Sequence, residues 1–353
     1  MGQKSPDLSG RGARTNRAGR FEALSSVAFD DGWEPDEEPP KLDTVITQEI
    51  ARTIISRNDS PDLHFDQSIN TYRGCEHGCI YCYARPNHAY AGLSPGLDFE
   101  TRLFAKTNAP ALLQAELKAA SYRPTTIVLG GVTDCYQPAE RERRITRGVL
   151  EVLQRHRHPV AIVTKSALVQ RDIDILGEMA QDRLVKVGVS VTTLDRKLAR
   201  AMEPRAAAPH RRLETIAALT AAGIPVTVMT APMIPAVNDR ELETLLEAGR
   251  DAGAREASYV VLRLPLEISE LFQEWLAAHF PDRAAHVMSL VRQMRGGKDY
   301  ESAWGLRQKG TGPYAKLIAD RFRRACERLG LNTVREGLDV TRFHRPGDQM
   351  RLF

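Results

Sequence analysis

No run of about 18 apolar residues occurs in this sequence, so a membrane span is not expected. The N-terminus, "MGQKSPDLSGRGARTNRAGRFE", lacks the apolar h-region of a secretory signal, and its Met-Gly start with Ser5 nearby matches a myristoylation signal only loosely. Aromatic residues make up 6%, too few to indicate extended base-stacking platforms. Cysteine is scarce too. Five cysteines, an odd number, argue against a disulfide framework and for a reducing compartment, so the expected location is the cytoplasm. Charge of one sign is limited: the net value of +4 permits an anionic substrate without demanding one.

What is present is an ordinary globular composition, with 42% hydrophobic and 27% charged residues. Residues 1–43 are poor in apolar periodicity, and "DDGWEPDEEPP" reads as an acidic, proline-punctuated linker, so a flexible tail is expected there. Its Arg11, Arg14, Arg17 and Arg20 could touch nucleic acid but read first as solvated. From about residue 110, short β-rich runs alternate with amphipathic stretches. The strands are "TTIVLGG", "PVAIVTK", "LVKVGVSVT", "IPVTVMTAPMIP" and "ASYVVLRLP". Between them lie helical runs such as "ERERRITRGVLEVLQRH" and "PHRRLETIAALTAAG", the latter closed by Gly223 as a C-cap. This alternation signals βαβ units and a parallel sheet. With a first strand at the cysteine segment, the count is about six units. The expected fold is therefore α/β, an open (β/α)6 barrel over residues 44–265, followed by a helical extension over 266–353.

Three of the five cysteines fall in "RGCEHGCIYCYAR": Cys75, Cys79 and Cys82, spaced C-x3-C-x2-C. Cubane iron–sulfur clusters are usually held by four thiolates, so three leave one iron open to another ligand. The alternative is zinc in a Cys3His site, for which His88 is better placed than His77, which lies inside the same short loop.

"NTYRGCEHGCIYCYARP" resembles the signature of the radical S-adenosylmethionine (SAM) superfamily, C-x3-C-x-aromatic-C, with Tyr81 in the aromatic place. From about Thr44 onward, segments including "GGVTDCYQPAE" are similar to the bacterial radical SAM group related to spore photoproduct lyase, often labelled DNA-repair-photolyase-like. The resemblance implies a [4Fe–4S] cluster on Cys75, Cys79 and Cys82, with SAM on the open iron. Reductive cleavage of SAM would give a 5′-deoxyadenosyl radical that abstracts hydrogen from substrate. It also implies an electron donor such as flavodoxin or ferredoxin. The cofactors would carry the difficult chemistry, and the chain would orient them at the C-terminal ends of its strands.

Several residues fall at such ends. Gly130 and Gly131 match a glycine motif near the SAM amino group, or else form a tight βα turn. Lys165 and Ser190 match residues that serve the SAM carboxylate, although a strand-end lysine is often just solvated. Tyr81 is expected beside the adenine or packed over the cluster. Asp134, Tyr136 and Gln137 follow the second strand. They face SAM or substrate, or Asp134 caps the next helix. Arg263 would meet an anionic substrate or sit in a structural ion pair. Cys326 reads as a core thiol, and Cys135 as either a hydrogen donor to a substrate radical or a small packing residue.

Three functions follow: a radical SAM enzyme acting on nucleic acid, one acting on a peptide or small molecule, and a zinc-stabilised binding module without activity. Basic runs such as "RERRITR" alternate with apolar positions, so nucleic acid leads through the family resemblance and not through a basic stripe.

Overall fold

Branched aliphatic residues fill the runs expected to be strands, and the computed structural model, which describes residues 8, 10–22, 42–334 and 337–345, forms strands there. Ten occur among these residues: β1 Val45–Glu49, β2 Ile55–Arg57, β3 Gln67–Ile69, β4 Tyr72–Arg73 and β5 Arg102–Lys106, then β6 Ile127–Leu129, β7 Val160–Thr164, β8 Val185–Ser190, β9 Val226–Met233 and β10 Glu256–Val261. The main sheet has the order β10-β9-β8-β7-β6-β3-β2. Strands β3, β6, β7, β8, β9 and β10 are parallel neighbours, and β2 is antiparallel at the edge. The fold is the expected open (β/α)6 barrel, with β3 leading straight into the cysteine segment.

Register aligns the strand ends that matter. Val163 pairs with Gly188 and Thr164 with Val189, so Lys165 and Ser190 emerge side by side at the C-terminal rim. Val160, Ile162, Val185, Val187 and Val189 are essentially fully buried. Each such side chain contributes roughly 1.5–3 kcal/mol through removal from water. Gly223, at φ +76°, follows the Pro209–Ala221 helix and donates to Thr220 O at 2.9 Å, the left-handed stop expected of it.

Three features depart from the sequence reading. The single helix expected over "ERERRITRGVLEVLQRH" is two, Glu140–Arg143 and Ile145–Arg155, split at Arg144 with φ +52°. The cause is Glu140, whose buried carboxylate accepts the Thr146 N–H at 3.1 Å and so caps the second helix. A small second sheet, β1-β5-β4, was not legible because its strands are short and partly exposed. Within the expected tail, "DDGWEPDEEPP" lies outside the described residues. Residues 10–22 are described and lie against the barrel, with Ala13 fully buried, Arg17 and Arg20 in ion pairs, and Arg14 exposed.

The C-terminal extension is helical as expected: Ile268–His279, Ala284–Gln293 and Gly312–Leu329. The last of these packs on β10, with the rings of Tyr259 and Phe322 4.6 Å apart. The glycine-rich loop before it crosses to the opposite edge of the barrel, where the Gly305 N–H and Arg307 Nε both donate to Asp62, at 2.6 and 2.5 Å.

Candidate cluster and cofactor site

The cysteine loop is a tight backbone path. Gly74 and Gly78 take φ of +73° and +66°. A Cβ on Gly78 would stand 2.7 Å from Glu100 Oε2, and one on Gly74 2.6 Å from Leu103 Cδ2. These glycines are demanded by conformation and by space. Backbone bonds then fix the turns: Cys75 N–H to Phe99 O at 2.9 Å, Gly78 N–H to Cys75 O at 3.3 Å, and Cys82 N–H to Cys79 O at 3.2 Å.

Side chains complete the mould. Arg85 is fully buried and donates to Cys79 O at 2.9 Å, Gly78 O at 3.1 Å and Gly96 O at 2.9 Å, while pairing with buried Glu100 at 2.5 Å. A buried guanidinium is tolerable because its donors are used. Gln137, expected near SAM or substrate, does other work. Its amide accepts from the Glu76 N–H at 2.9 Å and donates to Gly74 O at 3.2 Å, holding both neighbours of Cys75. Tyr136 likewise points into the core, its hydroxyl 3.0 Å from Asp172.

Cys75 and Cys79 are buried, Cys82 is half-buried, and all three thiols are free. Burial pushes Cys75 and Cys79 upward. For Cys75, Asp134 and the other two cysteines add to the rise, so the three sulfurs share one environment. For Cys79, Lys165 opposes it. Thiolates in such a place require compensating positive charge, which an iron–sulfur cluster brings. A Cys3His zinc site would further need a histidine turned to the thiols. His77 turns to Asp134. His88 packs between Phe99 and Phe104, and burial lowers it to about 4. The donor set fits a cubane, one thiol per iron, better than Cys3His zinc.

The rim above the loop collects most of the other expected residues. Gly130, at φ +79°, has no room for a side chain: a Cβ would stand 2.0 Å from Val163 O. Gly131 is under no such constraint, and its carbonyl accepts from the Tyr83 hydroxyl. Asp134 accepts from the Tyr136 N–H at 2.9 Å, the Thr164 hydroxyl at 2.8 Å and the Lys165 N–H at 2.8 Å. Burial disfavours its charge, but His77 and these N–H donors win and hold it at about 2. Lys165 sends its Nζ to 5.8 Å from the centre of the Tyr81 ring. Ser190 is buried, and its carbonyl accepts from Arg212 at 3.1 Å. Cys135 is in the main core, its Sγ 3.6 Å from where a Cβ on Gly130 would stand. Cys326 is buried in that core as well.

Sequence reasoning missed Glu203 and Arg212, which form a buried ion pair under the rim. Glu203 also accepts from the Tyr81 hydroxyl and from Thr192 at 2.9 Å, so it sets the tyrosine's position. Nothing local in "AMEPR" marks that role. Tyr83 was missed too, although it directly follows Cys82. It is 45% exposed, with the Arg263 guanidinium 5.0 Å above its ring.

The family model described as the Radical SAM superfamily matches residues 69–248, which run from the end of β3 into the Leu242–Asp251 helix before β10. The chain belongs to the radical SAM superfamily. This radical SAM protein is 34% identical, over 284 residues, to uncharacterised proteins of Mycobacterium tuberculosis and Mycobacterium bovis, covering 77% of this chain and 84% of each relative. An uncharacterised protein of Methanocaldococcus jannaschii is 28% identical over 174 residues, 49% of this chain and 62% of the relative. Among solved structures, spore photoproduct lyase superposes with a TM-score of 0.59 at 16% identity, covering 81% of this chain and 80% of that one. One such structure holds both AdoMet and the dinucleoside spore photoproduct. At this identity the likeness is one of fold.

Proposed function

We propose that this radical SAM protein holds a [4Fe–4S] cluster on Cys75, Cys79 and Cys82 and uses SAM to start radical chemistry on an anionic substrate, with nucleic acid the leading class. When bound, such a cluster supplies the electron that cleaves SAM to a 5′-deoxyadenosyl radical, and flavodoxin or ferredoxin is the reductant we expect. This chain's residues do the rest. Gly130 lets the β6 turn approach a ligand closely, and the Lys165 ammonium, with no carboxylate partner among the described residues, would take the SAM carboxylate beside Ser190. Tyr81, fixed by Glu203, would wall the adenine side and exclude water.

The observation that carries the substrate reading is Arg263. The sequence left open whether it is paired structurally. Among the described residues no carboxylate pairs with it, because neighbouring Asp62 is taken by Arg307. Its buried Nε has no partner, and its hydrogen bond, to the Tyr300 hydroxyl, is a long 3.5 Å. A second guanidinium, Arg295, lies close enough that burial and then Arg263 lower it to about 10. Arg263 beside an exposed tyrosine at the barrel mouth suits a phosphate, whereas Arg295 is fully buried and spends its guanidinium on the carbonyls of Val261, Leu262 and Leu306. The test is 5′-deoxyadenosine release by the reduced, reconstituted protein across damaged oligonucleotides, anionic peptides and neutral peptides. Stimulation by oligonucleotides that falls in Arg263→Gln supports this reading. Stimulation by neutral peptides alone, unaffected by that substitution, rejects it. No described helix is long and apolar enough to cross a membrane.

A further inference from the structure

The cysteine loop has a second side, away from the strand ends, and residues 10–22 cover it. The N–H groups of Gly12 and Ala13 donate to the two oxygens of Glu100, at 2.9 and 2.8 Å. The same carboxylate is bound by Arg85, which holds the carbonyls of Gly78 and Cys79. Gly12 has no space for a side chain: a Cβ would stand 1.7 Å from the carbonyl oxygen of Gly78, between Cys75 and Cys79 in the loop. Ala13 is fully buried in the same apolar cluster as Cys79, Ile80 and Tyr81.

The segment is anchored on either side of that contact. Arg11 donates to Leu42 O at 2.6 Å and to Glu100 O at 3.1 Å. Thr15 O accepts from the Leu97 N–H at 3.2 Å, and a Cβ on Gly96 would stand 2.2 Å from that oxygen. Arg17 pairs with Glu274 at 2.6 Å and with Glu270, and Arg20 with Glu267 at 2.7 Å. These ion pairs are exposed and individually weak. The two backbone bonds to a buried, charged carboxylate are not, because Glu100 would otherwise lose two donors in a place where water replaces them poorly.

We infer that residues 10–22 are an intramolecular clasp on the cysteine loop, with Glu100 the positioning residue through which the docked segment fixes the backbone of Gly78 and Cys79. The clasp protects Cys75 and Cys79 from reagents that approach from outside the barrel. Its effect on iron retention rests on the cluster reading proposed above, whereas its effect on thiol access does not.

The experiment alkylates the metal-free, full-length protein with iodoacetamide and follows each cysteine by mass spectrometry. Gly12→Val cannot dock without displacing Gly78, and Arg17→Glu turns two ion pairs into repulsions. Cys75 and Cys79 should react about tenfold faster in Gly12→Val, equivalent to ~1.4 kcal/mol of easier local opening, and Arg17→Glu should lie between that variant and wild type. Cys135 and Cys326, buried elsewhere, should keep their wild-type rates. Wild-type rates at Cys75 and Cys79 in both variants overturn the clasp. So does equal acceleration at Cys135 and Cys326, which would make the segment a support of the whole fold. In reconstituted protein the same variants should lose iron faster to a chelator. A wild type that takes up no iron would remove the cluster reading while leaving the alkylation result to stand.

Discussion

Nδ1 of His77, inside the cysteine loop, lies 3.3 Å from Oδ2 of Asp134, at the end of the second parallel strand's loop. This contact joins the cluster segment to the barrel rim, because the same carboxylate also holds Thr164 and Lys165. Asp134→Ala would leave four donors, the N–H groups of Tyr136 and Lys165, the Thr164 hydroxyl and the His77 ring, without this acceptor and should cost several kcal/mol, at roughly 1–3 kcal/mol per unsatisfied group. Asp134→Asn keeps one carbonyl oxygen and should lose less. Urea denaturation of the two variants, with iron content after reconstitution, checks the order.

Replacing any one of Cys75, Cys79 or Cys82 with Ala should prevent assembly of the cluster. Anaerobic reconstitution of wild type should give about four irons and four sulfides per chain, and brown colour lost in each variant. Stoichiometric, colourless zinc in the wild type would return the site to Cys3His.

Lys165→Ala should weaken SAM binding by about 10- to 150-fold, the loss of one charge-assisted hydrogen bond worth roughly 1.5–3 kcal/mol. The cluster spectrum should be unchanged, since the Lys165 ammonium lies 5.8 Å from the centre of the Tyr81 ring and the role proposed for it is toward SAM, not toward the thiols. Calorimetric titration with SAM makes the measurement, and an unaltered affinity would show a strand-end lysine that is merely solvated.

The parallel sheet was legible because its strands read as short aliphatic runs; β8, "VKVGVS", with five of its six residues buried, is an example. The cysteine loop was legible because its chemistry is local in sequence. Glu203 was not: it reaches Tyr81 from 122 positions away, and only folding brings them together. Gln137 was assigned to the mouth because it lies on the loop after the second strand, yet its amide turns back to Gly74 and Glu76. The basic residues at 11, 17 and 20 looked solvated because their partners, the backbone carbonyl of Glu100 for Arg11 and the carboxylates of Glu267, Glu270 and Glu274 for the other two, lie far along the chain.

Cys135→Ala tests whether the thiol following Asp134 gives hydrogen to a substrate radical. Its burial in the main core, with Thr146 donating to its backbone carbonyl at 2.7 Å, favours packing. The expected result is a stability loss on the order of 1 kcal/mol, as for a small core truncation, with SAM cleavage and product identity unchanged. A variant that cleaves SAM normally but yields an altered or stalled product would make Cys135 the donor.

His158 gives the chain a pH dependence remote from the proposed cluster. The ring is fully buried, with Nδ1 3.0 Å from Pro159 O, Nε2 2.7 Å from the Tyr122 hydroxyl, and the Phe343 ring edge-on at 5.4 Å. Burial lowers it from 6.5 to about 4, and the Pro159 bond only partly opposes this. The native chain therefore keeps the ring neutral where the unfolded chain protonates it. The resulting stability is fully present above about pH 6.5, falls as pH drops toward 4, and levels off below that. The whole change is on the order of 3 kcal/mol at ~1.4 kcal/mol per unit. His158→Gln should flatten the decline between pH 6.5 and 4 when the urea midpoint is measured across that range. A variant whose midpoint falls as steeply as wild type would place the acid sensitivity in another group.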